Sequence, residues 1–221
     1  MWEANLNPDA IFSYNAGISA CEKGEQWQRA LALLSEMREA NLEPDVISYN
    51  AGLSACEQGE QWQRALAMLS EMREANLEPD VISYNAGINA CAKGEQWQRA
   101  LALLSEMREV NLEPDVIFSC SAGIIACEKG EQWQRALALS SQMLEAKLEP
   151  DFISTNAVLS ACGKGEQWQR ALALLREMRD AKLEPDSATS LRSARVRDAA
   201  NGGLRCRCSV RCGSAVWRRT E

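Results

Sequence analysis

The chain has 221 residues, a formal charge of −7, 46% hydrophobic residues, nine cysteines and no histidine. That length allows one or two ordinary domains, and without an apolar run of about 18 residues no membrane-spanning helix is expected. The missing histidine excludes Ser-His and Cys-His catalysis and any zinc site with a histidine ligand.

Residues 1–10, MWEANLNPDA, read as the end of a repeating unit. Met1 aligns with Met37 and Met72, and Glu3-Ala4-Asn5-Leu6 with Glu39-Ala40-Asn41-Leu42. The chain is expected to open inside the second helix of a truncated unit, with no secretory signal or transit peptide, as a fragment or a lost start would give.

Five full units follow, at 11–45, 46–80, 81–115, 117–151 and 152–186, with Ala10 and Val116 as single extra residues. Trp27, Trp62, Trp97, Trp133 and Trp168 mark them at intervals of 35, 35, 36 and 35, each inside the word GEQWQRAL. A period of this size implies an array of small units rather than one globular core.

In the second unit, Val46, Tyr49, Leu53 and Cys56 form one helical stripe, here called helix A. Asp45 is a natural N-cap, and Gly59 is expected to end the helix at positive φ. Trp62, Ala65, Leu66, Leu69 and Met72 form the stripe of helix B, which Asn76 can close in the left-handed conformation before Pro79 stops it. The tryptophans read as core of each hairpin. The mid-helix Gly52, matched by Gly17, Gly87 and Gly123, implies close packing of helix A against a neighbour; the fifth unit has Val158 there. Such a hairpin cannot cover its own stripes, so neighbours must stack.

Cys21, Cys56, Cys91, Cys127 and Cys162 share one position of the helix A stripe. Stacked helices lie about 8–10 Å apart and disulfides need Cα atoms within about 7 Å, so these read as buried free thiols.

After Asp186 the pattern ends. Residues 187–221 carry eight arginines against Asp198 and Glu221, a net of +6, which leaves −13 on the rest. This tail is expected to be a basic, disordered arm. Its Cys206, Cys208 and Cys212 lack a fourth ligand for zinc, and no metal or cofactor is expected.

The residues Tyr49-Asn50, Cys56, Gly59, Ala65-Leu66, Met72, Leu77 and Pro79-Asp80, with their equivalents in the other units, resemble the pentatricopeptide repeat family. The resemblance covers the five units. It implies an all-α, right-handed α-solenoid that binds single-stranded RNA along its A helices, one base per unit. Carried over, unit positions 5 and 35 would meet each base edge: Asn15 with Asp45, Asn50 with Asp80, Asn85 with Asp115, Ser121 with Asp151, and Asn156 with Asp186. An amide and a carboxylate together can match the donors and acceptors of one base. The family's pattern gives uracil for Asn with Asp and guanine for Ser with Asp, hence a U-rich target 5′-UUUGU-3′; Val116 leaves open which residue serves the third unit. Position 2 would sandwich the bases: Phe12, Ile47, Ile82, Phe118 and Ile153. Lys23, Lys93, Lys129 and Lys164 at position 13 would follow the phosphates.

Plainer readings stand beside these. The aspartates serve as N-caps, the asparagines as solvated polar residues copied by duplication, the position 2 residues as core, and the lysines as an ordinary solvated face. Glu22, Glu57 and Glu128 adjoin the lysines and would repel phosphate. The expected function is sequence-selective RNA binding in organellar RNA processing, stability or translation, in a chloroplast or mitochondrion by resemblance. The alternatives are a solenoid scaffold whose acidic face takes a basic protein and an incomplete gene product. No enzymatic activity and no small-molecule substrate are expected.

Overall fold

The computed structural model describes residues 8–110, 112, 116–145, 148, 151–167 and 169–174. Helices α1 (Pro8–Lys23), α3 (Val46–Gln58), α5 (Val81–Lys93), α7 (Val116–Lys129) and α9 (Phe152–Lys164) are the A helices. The B helices are α2 (Trp27–Glu39), α4 (Trp62–Glu74), α6 (Trp97–Glu109) and α8 (Trp133–Glu145). Each A helix packs on the next A helix, and each B helix lies over the seam between its own A helix and the following one. The result is an α-solenoid in which every hydrophobic stripe is covered by a neighbour.

This arrangement explains why the two helices differ in composition. Helix α3 is enclosed on several sides and buries Ser48, Tyr49, Ala51, Gly52, Leu53, Ala55 and Cys56, a wider face than the single stripe in its sequence. Its small residues let the A helices approach. Helix α4 buries only Ala65, Met68, Leu69 and Met72 and keeps its polar face in solvent. At Gly52 an added Cβ would lie 2.5 Å from Met68 Cε and 2.6 Å from Leu34 Cδ1, so a B helix on each side of the seam presses on this position, as the mid-helix glycine implied.

The ends of the helices follow the expected logic with one correction. Asp45 caps α3 by accepting from the Ser48 N–H at 2.8 Å, while the Asp45 N–H donates to Ser48 Oγ at 3.2 Å. Asp80 and Ser83 repeat this box at α5. Asn76 closes α4 at φ 55, and the Leu77 N–H then reaches Met72 O at 2.9 Å. At the end of α3, however, Gly59 has φ −80, and the left-handed residue is Glu60 at φ 56. Glu25, Glu95, Glu131 and Glu166 take the same conformation. The Gln61 N–H completes the turn on Cys56 O at 2.8 Å.

Glycine is needed at 59 for space. A Cβ there would stand 2.3 Å from Cδ1 of Trp27, an indole belonging to the preceding unit. Gly94, Gly130 and Gly165 face Trp62, Trp97 and Trp133 in the same way. Trp27, Trp62, Trp97 and Trp133 therefore pack against the core, half-buried, and also serve as joints between units. Arg99, Arg135 and Arg170 of the following unit lie over the indoles of Trp62, Trp97 and Trp133, at 5.2, 4.8 and 5.3 Å from the ring centre, within cation–π range.

Two junctions are irregular. Helix α1 begins at Pro8, so residues Pro8 to Ala10 lead into the first A helix. The extra Val116 is taken up as the first residue of α7, which has 14 residues where α3, α5 and α9 have 13.

Among the described residues the cysteines Cys21, Cys56, Cys91, Cys120, Cys127 and Cys162 are free thiols. Burial pushes Cys56, Cys91, Cys127 and Cys162 up to about 11, against the smaller opposing effect of a nearby arginine. No helix among the described residues is long and apolar enough to cross a membrane.

Candidate nucleic-acid interface

The N-terminal half of each A helix presents two kinds of side chain, repeated at the unit period. At position 2 stand Phe12, Ile47, Ile82, Phe118 and Ile153, which are 77, 64, 59, 69 and 60% exposed. They are not core. The hydrophobic stripe of helix A turns its back on them, so a large apolar residue stands in solvent once per unit.

Position 5 is polar and tied to the next unit. The Asn15 amide donates from Nδ2 to Asp45 Oδ1 at 3.2 Å. The Ser48 hydroxyl lies 2.5 Å from Asn15 Oδ1 and 2.8 Å from Asp45 Oδ1, so its one proton is shared between the two acceptors. The second junction repeats the pattern: Asn50 Nδ2 reaches both Asp80 oxygens at 3.2 Å, and Ser83 Oγ reaches Asn50 Oδ1 at 2.5 Å. Each amide is half-buried and keeps one N–H and one lone pair unspent. In the fourth unit Ser121 Oγ lies 3.4 Å from Asp151 Oδ1. Asn156 is buried. Asp115 and Asp186 lie outside the described residues.

Cap and amide–carboxylate pair are thus one device. Asp45 has its pKa pulled below the ordinary aspartate range: burial raises it, but the Ser48 N–H and hydroxyl, the Asn15 amide and the Ile47 N–H outweigh that. It is a charged acceptor at neutral pH. The serines Ser48, Ser83 and Ser119 were not singled out in the sequence, although the D-x-x-S spacing of a capping box announces two of them.

The lysines bridge units. Lys93 Nζ lies 3.4 Å from Glu57 Oε1, and Lys164 Nζ lies 3.1 Å from Glu128 Oε1. Lys129 Nζ donates to Lys93 O at 3.3 Å, and Lys23 is exposed. Glu57 and Glu128 are therefore partly neutralised by the lysine one unit on, whereas the position 13 residue one unit on from Glu22 is Gln58. Glu22 has its pKa raised, first by burial and further by Glu57, against the pull of Lys23. Among the described residues no cluster of His, Cys, Asp or Glu could hold a metal ion.

Stacked helical hairpins with one apolar and one polar side chain per unit on the A-helix row define a helical-repeat binding solenoid. The family model for the pentatricopeptide repeat domain matches residues 1–60, 32–94 and 102–165. Two further models of this repeat match residues 79–117 and 153–183. The chain belongs to the pentatricopeptide repeat family.

Among solved structures it is similar to the pentatricopeptide repeat domain of Arabidopsis thaliana protein-only RNase P 1 in complex with tRNA, with a TM-score of 0.73 and 16% identity over 87% of this chain and 100% of that one. That likeness shows the fold alone. It is also similar to the pentatricopeptide repeat protein PPR10 in complex with an 18-nt psaJ RNA element, with a TM-score of 0.71 and 29% identity over 83% of this chain. A structure of PPR10 from maize matches with a TM-score of 0.61 and 25% identity over 91% of this chain. The chain spans 27% and 30% of the length of these two PPR10 chains. No curated protein matches the sequence.

Proposed function

We propose that this chain binds single-stranded RNA along its row of A helices, one base per unit, with 5′-UUUGU-3′ as the preferred sequence. The observation that carries this reading is the coincidence of two rows at one period. Exposed apolar side chains at position 2 alternate with oriented amide–carboxylate pairs at positions 5 and 35. A base held between Ile47 and Ile82 would lose water on both faces and meet the free N–H and lone pair of Asn50 at its edge. A similar repeat array, PPR10, is known in complex with an RNA element, which supports the choice of ligand. The role is binding rather than catalysis, in RNA processing, stability or translation in an organelle.

Equilibrium binding of labelled UUUGU-containing RNA against a CCCAC control, at about 50 and 200 mM salt, tests it. A preference for the first, lost on Asn15→Ala plus Asn50→Ala, supports base reading. Equal, steeply salt-dependent binding of both would assign binding to the basic tail and contradict the reading.

One observation favours a second reading, a scaffold for a basic protein. The repeats carry the negative charge, and Lys93 and Lys164 are engaged with Glu57 and Glu128. A basic peptide bound in preference to any RNA would support it.

A further inference from the structure

Three of the seams between units are built on one leucine and one glycine. Leu34 of α2 faces Gly52 of the next A helix, Leu69 of α4 faces Gly87, and Leu104 of α6 faces Gly123. A Cβ added to these glycines would stand 2.6, 2.8 and 3.4 Å from the leucine methyl carbon. The fourth seam has the sizes exchanged. Ser140 of α8 stands at the leucine's position in its unit, and Val158 of α9 stands at the glycine's. Both are buried, at 7 and 1% exposure, and α8 packs on α9 as closely as α2 packs on α3. On the other side of Val158, Leu174 of its own unit is half-buried, where its counterparts Met68, Leu103 and Leu139 are buried.

The exchange is reciprocal, and each half needs the other. A leucine facing Val158 overpacks the seam, since a single Cβ already crowds the leucine at Gly52 and Gly87. A serine facing a glycine leaves a void. The fourth and fifth units therefore fit one another, and the fifth does not fit the leucine of an earlier unit.

Such a fit matters in an array of near-copies. The first two units differ at only five of 35 positions, so local sequence says little about which hairpin belongs on which. Kinetic traps and misassembly are the characteristic failures of repeat chains. Choice among near-identical surfaces needs a clash against the wrong one as well as a fit to the right one.

We propose that Ser140 and Val158 form a steric key that seats the fifth unit on the fourth and turns it away from the leucine-bearing seams of the first three. The key sorts the order of stacking during folding, whatever ligand the finished array takes.

The test uses the full chain as wild type, Ser140→Leu, Val158→Gly and the double variant, which restores the leucine–glycine pair of the other seams. Thermal melts read the contact. Ser140→Leu should lower the melting temperature by roughly 2–12 °C, and adding Val158→Gly should recover most of that loss. A Ser140→Leu chain that folds only together with Val158→Gly is the same result in stronger form. Refolding followed by pulsed hydrogen exchange reads the sorting. The wild type should protect α7 and α8 no later than α9. The double variant should gain a slow population with α9 protected and α7 and α8 still open, the signature of a skipped unit. Additive losses in the two single variants, or a double variant that does not fold, would overturn the contact. A stable double variant that refolds with the wild-type order of protection would overturn the key.

Discussion

Gly59 and Trp27 are in contact across a unit boundary, with room for a hydrogen but not a methyl group between the glycine Cα and the indole. The same pair recurs at Gly94 with Trp62, Gly130 with Trp97 and Gly165 with Trp133. A glycine at a helix end is ordinarily assigned to left-handed backbone. Here that conformation falls on Glu60, and the glycine makes room for a neighbour.

Gly59→Ala should therefore cost about 1–3 kcal/mol through overpacking. In a Trp27→Ala background the same change should be milder by about 0.5–3 kcal/mol, because the two residues share one contact. Glu60→Gly should not destabilise, since it relieves a left-handed residue that costs about 1–2 kcal/mol. Urea denaturation of the wild type, Gly59→Ala, Trp27→Ala, the double variant and Glu60→Gly decides. An equal penalty for Gly59→Ala with and without the indole would reject the contact as its cause.

The caps predict an acid limb. Asp45 titrates below the usual aspartate value of about 3.8, so its contribution is present above that pH and is lost as pH falls through the lowered value. Asp45→Ala should cost about 1 kcal/mol at pH 7. The gap between variant and wild type should close on acidification below about 3.8. A gap that persists unchanged in acid would mean the charge is not the source.

Much of this was legible in single residues. Asp45 announced an N-cap, Asn76 a left-handed closure, and Pro79 a stop, because each acts on its own local backbone. Periodicity also left Ile47 outside the stripe of Val46, Tyr49, Leu53 and Cys56, and the structure puts it in solvent. What was hidden lies between units. Trp27 meets Gly59 and Lys93 meets Glu57, and neither partner is visible within one helix. Ser48 was passed over for a related reason. Its hydroxyl acts on Asn15 of the preceding unit, 33 residues away, and a reading that treats one unit at a time cannot see it.

The thiols predict an alkaline limb. Cys56, Cys91, Cys127 and Cys162 are raised from 9.0 to about 11 by burial, so unfolding lets them ionise earlier. A raised value gives stability that is full below 9.0 and lost as pH climbs towards about 11. The melting temperature should fall over that range, and less so with all four replaced by alanine. At pH 8, alkylation followed by peptide mapping should find these four unmodified in the folded protein. Rapid labelling of Cys91 in the folded state would contradict the buried placement.

The exposed row should separate stability from binding. Phe12→Ala and Phe118→Ala remove side chains 77 and 69% exposed. Each should change folding stability by less than about 0.5 kcal/mol. Each should weaken RNA binding by about 1–3 kcal/mol, the range of one base stacked on an aromatic side chain. Thermal melts and binding isotherms on the same preparations check both halves. A large loss of stability with unchanged affinity would return these residues to the core.

The most direct measurement of the central claim is a change of one base by one residue. Asn50→Ser gives the second unit the side-chain pair that the fourth carries in Ser121 and Asp151. If each unit reads one base through this pair, the preferred RNA should move from UUUGU to UGUGU, with the other four bases unaffected. An unchanged preference for UUUGU, or an equal loss for both RNAs, would contradict base reading by the A-helix row.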